Sequence, residues 1–240
     1  MCTNYRPSAI EAFNSGALAD IRDTKISFKP EVFPNDAAPI IRPARSDDKS
    51  SAPPEWVPAR FGLVPFWAKD DQVTKLGRMA YNSRTETVAS KPMFREAWKR
   101  AQFCLIPADL FYEPNWESGC AIRWRIEMAS REAFAIGGIW ESHGSGEACF
   151  ESFSMLTINA DTHPLMNHFH RPGDEKRMPV IVEAADYPAW LAATASDAPA
   201  FFKHYPAELM VARPEPMPPR AKRAKPQPKA ASQQGELAVD

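Results

Sequence analysis

Apolar positions along the middle of the chain occur mostly in alternating or short continuous runs, which predict strands. Seven such segments are rich in β-branched and aromatic residues and bounded by turn residues: ARFGLVPFW, MAYNSRTETV, FCLIPA, CAIRWRIEMA, FAIGGIWE, SFSMLTIN and MPVIVE. Helical spacing is rarer, in SKPMFREAWKRA with Ser90 as the expected N-cap, in YPAWLAA and in SAIEAFNSGALADI. Many strands with few helices predict an α+β fold, a single domain with a curled, mainly antiparallel, barrel-like β-sheet and flanking helices.

Two stretches lack these patterns. Residues 34–58 contain six prolines and the polar run RSDDKSSAPPE, which predicts a loop. Residues 213–240 are rich in Pro, Ala, Lys and Gln, so we expect a disordered tail that follows one folded domain over residues 1–212. The tail has six Lys or Arg and three Asp or Glu, which leaves residues 1–212 with a net charge of −4. Bulk charge therefore gives the domain no general affinity for nucleic acid.

The composition is that of an ordinary soluble globular protein, with 44% hydrophobic and 25% charged residues among 240. No run approaches 18 apolar residues, and the N-terminus lacks the apolar stretch of a signal peptide, so we expect a cytoplasmic protein that does not bind membranes. The four cysteines, Cys2, Cys104, Cys120 and Cys149, are widely spaced, which favours free thiols.

The first residues, MCTNYRPS, place a cysteine directly after Met1. A small second residue favours removal of the initiator methionine, which would leave an amine and a thiol on Cys2. A neutral α-amine, with a reference pKa of about 7.7–8.0, attacks an aldehyde to give a Schiff base. The thiol of the same residue can then close on the imine carbon and form a thiazolidine ring. The alternative is that Cys2 follows Met1 by chance.

Polar side chains recur within MAYNSRTETV. If this segment is a strand, Asn82, Arg84 and Glu86 share one face, which either meets solvent or lines a polar site. The planar guanidinium of Arg84 would suit a phosphate. Trp67, in RFGLVPFWAKDD, either packs in the core or stacks on an unpaired base.

Glu113, in FCLIPADLFYEPNW, follows two aromatic residues and precedes Pro114. A carboxyl group between apolar neighbours suits acid–base catalysis, and a turn glutamate at the end of a strand is the alternative.

Three histidines lie close together in NADTHPLMNHFHRPGDEKRMPVIV: His163, His168 and His170. HFHRPGDE matches part of a cupin metal motif with Glu175 as the acidic ligand, but the flanking glycines of that motif are absent. A histidine that transfers protons is the stronger interpretation.

Together and in this order, MC at the start, GLVPFWAKD, NSRTET, FREAWKR, CLIPADLFYE, TINAD and HRPGDEKRMPVIV resemble the SRAP family (SOS-response-associated peptidase) from residue 1 to about residue 182. The resemblance implies a compact α+β domain that recognises abasic sites in single-stranded DNA as part of the DNA damage response. It implies a covalent thiazolidine crosslink that shields the lesion, with no metal or organic cofactor. AP lyase activity and a peptidase activity that removes Met1 are further expectations, and we expect a monomer.

By the same resemblance, Cys2 is the crosslinking residue, Asn82 orients it, and Glu113 is the acid–base carboxylate. His170 helps to open the sugar ring and shuttles protons. We align His170 rather than His168 because PGDEK lengthens the segment before the following arginine. Pro114 stands where many relatives have Trp.

For DNA binding, the resemblance makes Arg84 a phosphate contact, and Trp67 and Pro39 the residues that wedge beside the lesion and interrupt base stacking. The chief alternative function is an N-terminal-cysteine amidohydrolase or peptidase, in which the amine is the base and the thiol attacks an amide.

Overall fold

The structure is a computed structural model that describes residues 3–13, 18, 26–45 and 53–217. The strands in these residues are β1 (Tyr5–Pro7), β2 (Ala37–Arg42), β3 (Glu55–Phe61), β4 (Asn82–Arg84), β5 (Phe103–Asn115), β6 (Ile122–Met128), β7 (Phe134–His143), β8 (Phe150–Asn159), β9 (Arg177–Pro179), β10 (Ile181–Val182) and β11 (Met210–Pro214). The helices are α1 (Ile10–Phe13), α2 (Val73–Gly77), α3 (Arg95–Lys99) and α4 (Tyr187–Ala192).

These strands form a single sheet with the order β10-β7-β8-β3-β2-β5-β6-β11. β5 also pairs with β7, which closes the middle of the sheet into a ring, while β1 adds to β5 and both β4 and β9 add to β8. β3 and β4 run parallel to β8, and the other pairings in the described residues are antiparallel. The structure therefore confirms the predicted α+β fold with a curled, mainly antiparallel, barrel-like sheet.

The core fills the closed sheet with large aromatic side chains. Those that are almost fully buried are Tyr5, Trp56, Phe61, Phe103, Phe111, Tyr112, Phe153, Phe169 and Trp190. Full burial of one large apolar side chain stabilises a fold by about 1.5–3 kcal/mol. The core therefore gives the strands that carry the polar residues a rigid support.

The prediction of a loop over residues 34–58 is wrong, because this region contains β2 and the start of β3. Pro39 lies opposite Pro58 in the antiparallel pairing of these two strands. Proline has no N–H, so a ladder accepts it only where no donor is needed, and a pair of facing prolines meets that condition on both strands.

The segment predicted as one strand from Ala59 to Trp67 leaves the sheet after Phe61. Gly62 has φ +110°, and a Cβ built on it would lie 2.1 Å from the carbonyl oxygen of Gly77. Only glycine tolerates both this conformation and this contact. The chain therefore makes an excursion over residues 62–80, with Trp67 at 46% exposure, before it rejoins the sheet as β4.

Two further local predictions differ from the structure. β4 ends at Arg84, and the N–H groups of Thr87 and Val88 donate to the Arg84 carbonyl in a turn, so Glu86 is not on the strand. α3 begins at Arg95, and the Ser90 hydroxyl donates to the Thr87 carbonyl instead of capping that helix.

β11 pairs with β6 through Pro214, two residues beyond the predicted end of the domain at residue 212. The domain boundary itself stays a prediction. The rest of the predicted tail, from residue 218, lies outside the described residues. Among the described helices, none has the length and apolar character needed to cross a bilayer.

Candidate functional site

A pocket of about 500 Å³ opens where the residues before β1, the end of β5 and the β8–β9 loop meet. Its lining residues are Thr3, Asn4, Phe33, Tyr81, Glu113, Pro114, Trp116, Ala121, Arg123, His170, Arg171, Asp174 and Met217. Two of the predicted catalytic residues, Glu113 and His170, therefore line the same pocket as the first described residues of the chain.

The N-terminal strand is held against β5. Tyr5 pairs with Phe111, and the Tyr112 N–H donates to the Asn4 carbonyl at 3.2 Å. Thr3 and Asn4, the two described residues that precede β1, line the pocket. Cys2, the predicted crosslinking residue, lies outside the described residues, and it is bonded to Thr3.

Glu31 fixes the side chains beside this strand. Its carboxylate accepts hydrogen bonds from the Asn4 amide and from Arg123. The Arg123 guanidinium also lies 4.0 Å from the centre of the Tyr112 ring and donates to the Glu215 carbonyl at 2.9 Å. Burial, followed by the nearby Glu215 carboxylate, raises the pKa of Tyr112 to about 12, so this phenol stays neutral and serves as a donor.

His170 is attached to the end of β5. Its N–H donates to the Pro114 carbonyl at 2.8 Å, and the Asn115 amide donates to the His168 carbonyl at 3.1 Å. Pro114 therefore lies within β5, and its carbonyl anchors the loop that carries the histidine. His170 has φ +65°, a left-handed conformation that costs a non-glycine residue about 1–3 kcal/mol and persists only where the surroundings enforce it.

Glu113 and His170 form a buried acid–base pair. His170 Nε2 lies 2.9 Å from Glu113 Oε2, and the two side chains are 7% and 1% exposed. The ring is not aligned for a linear hydrogen bond, as is common in sites without substrate. The N–H of Arg177 donates to His170 Nδ1 at 3.4 Å, so a neutral ring has its proton on Nε2, toward Glu113.

The neighbouring His168 has a different environment. It is exposed, and its Nδ1 lies 2.7 Å from Oε1 of the equally exposed Glu117. His170 therefore contacts a buried carboxylate in the pocket, whereas His168 contacts an exposed one. The proton-transfer role of His170 stays a prediction.

The cupin-like pattern does not converge on one point. His170 contacts Glu113, His168 contacts Glu117, and Glu175 accepts from Arg84, Arg177 and Asn159. Within the described ranges, no group of three or more His, Cys, Asp or Glu side chains is arranged to hold a metal ion.

Arg177 organises the polar surroundings of the β8–β9 loop. Its guanidinium is 1% exposed and binds both carboxylate oxygens of Glu86 at 2.8 Å and Glu175 at 2.7 Å. Glu175 also pairs with Arg84 at 2.7 Å. Hydrogen bonds from Asn159 and then Arg177 lower the pKa of Glu175, so this carboxylate is charged at neutral pH.

The remaining predicted site residues lie outside the pocket lining. Asn82 is buried in β4 opposite Met155 of β8, and Arg84 is half-exposed on the same strand. Trp67 is exposed in the excursion after β3. Pro39 is buried within β2, and this burial does not fit the expected wedge beside a lesion.

Two residues that line the pocket, Arg171 and Trp116, are not predicted as site residues from the sequence. Arg171 lies 4.7 Å from the centre of the Trp116 ring, in a cation–π contact. Among the described residues, Arg171 forms no ion pair, so its charge is available to an anion in the pocket. Its position directly after His170 was a usable signal.

Comparisons with known proteins agree on one family. A family model described as SOS response associated peptidase (SRAP) matches residues 1–215. Among curated proteins, the chain is 34% identical over 133 residues to "Abasic site processing protein YoaM" of Bacillus subtilis, which is 55% of this chain and 54% of that protein. It is 30% identical over 169 residues to "Abasic site processing protein HMCES" of Gallus gallus, which is 59% of this chain and 50% of that protein. The chain thus spans about half the length of these relatives.

Solved structures share the fold. A protein of Bordetella bronchiseptica is 32% identical and superposes with a TM-score of 0.78, covering 90% of this chain and 100% of that chain. A protein of Bacteroides thetaiotaomicron, 22% identical, superposes with a TM-score of 0.71 over 88% of this chain and 90% of that chain, which shows likeness of fold alone.

Proposed function

Because the chain belongs to the SRAP family, we propose that it recognises an abasic site in single-stranded DNA and crosslinks to it through Cys2 once Met1 has been removed. The observation that carries this proposal is the meeting of Thr3, Glu113 and His170 in one pocket. Cys2 is covalently bonded to Thr3, which lines this pocket together with Glu113 and His170. The relatives named abasic site processing proteins support the substrate class.

The crosslink follows from the chemistry of an N-terminal cysteine. In the ring-opened abasic sugar, C1′ is an aldehyde carbon. The neutral Cys2 amine adds to C1′, and loss of one water molecule gives an imine. The thiol of Cys2 then adds to the same carbon while its proton passes to the imine nitrogen, which closes a thiazolidine. The product is protein plus DNA minus one water, so no other reagent is consumed.

The acid–base pair would serve two steps. Opening of the closed sugar moves a proton from the C1′ hydroxyl to the ring oxygen, and this transfer would pass through Glu113 and His170. Glu113 would then donate a proton to the departing hydroxyl group as the imine forms. Both side chains are almost fully buried, so bulk water has little access to the two groups that would transfer the proton. In this proposal Asn82 orients the N-terminal residue.

Phosphate groups on either side of the lesion would bind arginines at the pocket. Arg84 is half-exposed but already paired with Glu175, whereas Arg171 is stacked on Trp116 and projects into the pocket. A guanidinium pairs with two phosphate oxygens at once, which suits both residues to this task. Trp67 would stack on a base outside the pocket.

Strand cleavage by an AP lyase step and peptidase activity beyond Met1 removal stay predictions of the family resemblance. Both are measurable in the same material, the first as a shortened oligonucleotide and the second as an N-terminally trimmed chain.

The test is a crosslinking reaction with a single-stranded oligonucleotide that carries one abasic site. We expect a shifted band on a denaturing gel and an intact mass equal to protein plus DNA minus water, in protein that lacks Met1. An oligonucleotide with a tetrahydrofuran analogue, which has no aldehyde, is the matched control and should give no band.

Cys2→Ala should abolish the stable product. A band of full strength with Cys2→Ala, or fully competent protein that retains Met1, would reject Cys2 as the nucleophile. Release of ammonia from glutamine without any crosslink would favour the amidohydrolase alternative instead.

A further inference from the structure

Lys176 makes contacts that join the two ends of the loop carrying His170. Its Nζ donates to the carbonyl oxygen of His170 at 3.3 Å and to that of Arg171 at 3.1 Å. Five residues of the chain lie between the histidine and this lysine. The lysine side chain therefore reaches back across the loop and links its last residue to the carbonyls of its first two residues.

The backbone of Lys176 is itself fixed, so its side chain extends from a rigid base. Its N–H donates to Asp161 Oδ1 at 2.8 Å, and its carbonyl accepts from the Ala160 N–H at 2.7 Å. The Asn159 amide donates to the other oxygen of Asp161 at 2.9 Å. These contacts hold Lys176 to the end of β8, which belongs to the closed part of the sheet.

The loop needs such a closure because it begins with a strained residue, His170, at φ +65°. Gly173, near the middle of the loop, has φ +86°, which glycine adopts without strain. The Arg171 carbonyl accepts both from the Asp174 N–H and from Lys176, so the turn and the lysine share one acceptor. An ammonium group has three donors and no acceptor, which suits it to adjacent carbonyl oxygens.

We propose that Lys176 is a positioning residue, whose ammonium group holds the carbonyls of His170 and Arg171 and thereby keeps the imidazole of His170 against Glu113. Three polar atoms of His170 then have hydrogen-bond partners: its N–H donates to Pro114, its carbonyl accepts from Lys176, and Nδ1 accepts from the Arg177 N–H. Its Nε2 lies 2.9 Å from Glu113 Oε2. The kinetic consequence rests on the proposed crosslinking function, whereas the structural consequence does not.

The kinetic test compares Lys176→Met, which keeps the aliphatic stem, with Lys176→Arg, which keeps the charge. We expect Lys176→Met to lower the maximal crosslinking rate about tenfold at an unchanged half-saturating DNA concentration, because a displaced imidazole transfers protons poorly. Lys176→Arg should recover most of the rate. Lys99→Met, on the exposed face of α3, is the matched control and should equal the wild type.

A double-mutant comparison tests whether the effect passes through the histidine. In a His170→Ala background, Lys176→Met should cause no further loss of rate, because there is no imidazole to position. A full tenfold loss in that background would overturn the proposal. So would a higher half-saturating concentration with an unchanged maximal rate and a weaker dependence on salt, which would identify Lys176 as a phosphate contact.

A second measurement needs no DNA and therefore separates this proposal from the proposed function. The chain has five histidines, and nitrogen-detected NMR can identify the tautomer of each ring, with His170→Gln used for assignment. We expect a single Nε2–H tautomer for His170 in the wild type and in Lys176→Arg, and a mixture in Lys176→Met. An unchanged His170 ring in Lys176→Met would overturn the proposal, even if the wild type failed to crosslink DNA.

Discussion

The pocket is not the largest concavity on the molecule. A groove of about 700 Å³ lies over β2, β3 and the start of β8. Its lining residues are Asn35, Ala37, Arg45, Val57, Pro58, Ala59, Arg60, Cys149, Phe150 and Glu151. Both concavities contain arginines, a carboxylate and an aromatic side chain, so size and composition alone do not separate them.

Their charges are arranged differently. In the groove, Arg45 pairs with Glu151 at 2.8 Å, and Arg60 donates to Asn35 Oδ1 at 3.0 Å. In the pocket, Arg171 has no ion pair within the described part of the chain. Both of these groove arginines therefore donate hydrogen bonds or pair with an acid, whereas the pocket contains a cation without an ion pair, a buried carboxylate–imidazole pair and a strained residue. Strain and available charge indicate function better than volume does.

The largest expected effect concerns the acid–base pair. Glu113→Gln keeps the size of a side chain that is 1% exposed but removes its ability to transfer a proton, so the crosslinking rate should fall about 1000-fold. Single-turnover reactions on a denaturing gel measure this. Arg60→Gln in the groove is the control and should react like the wild type. Comparable losses in both variants would end the distinction between pocket and groove.

A smaller effect concerns stability. Arg177→Met removes the buried centre of the network with Glu86 and Glu175 and should lower the free energy of unfolding by about 3 kcal/mol. Arg45→Met removes a half-exposed arginine, and its partner Glu151 keeps the hydrogen bonds from Arg42, so the cost should be less than about 1 kcal/mol. Urea titrations of the two variants against the wild type measure the difference. Equal losses would contradict the contrast between the two networks.

The predictability of the fold also differed between regions. The periodicity of β5 to β8 was readable because apolar and β-branched residues dominate these strands. β2 was missed because Pro39 reads as a strand breaker until its partner, Pro58, is known. The pairing of Pro39 with Pro58 is a tertiary contact, which a local sequence pattern does not predict.

The candidate site shows the same limit. Motif order predicts Glu113 and His170 as site residues. It does not predict their contact, because this depends on the β8–β9 loop turning back onto Pro114. The sequence pattern predicts neither the left-handed conformation of His170 nor the hydrogen bond from Lys176 to its carbonyl. Pro39 was assigned to DNA by resemblance, but its burial depends on strand pairing.

A further prediction tests the available cation. Arg171→Gln should weaken binding of single-stranded DNA about fivefold and reduce the slope of log affinity against log salt by about 1, because one phosphate contact is lost. Fluorescence anisotropy at several salt concentrations measures both quantities. Arg45→Gln, whose charge is already paired with Glu151, should leave the slope unchanged. An unchanged slope for Arg171→Gln would mean that Arg171 contacts no phosphate.

The smallest effect concerns acid pH and the loop beside the pocket. Hydrogen bonds from Asn159 and then Arg177 lower the pKa of Glu175 below its unfolded value of about 4.3, so the charged form stabilises the fold at neutral pH. This contribution is present above the unfolded pKa and is lost as the pH falls through the folded pKa. Glu175→Gln should therefore be less stable than the wild type at pH 7, by a few tenths of a kcal/mol because the side chain is one-third exposed, and the two should converge in acid. Urea unfolding from pH 7 down to about pH 2.5 measures the difference in the free energy of unfolding. A difference that does not change with pH would mean that Glu175 acts through packing instead of charge.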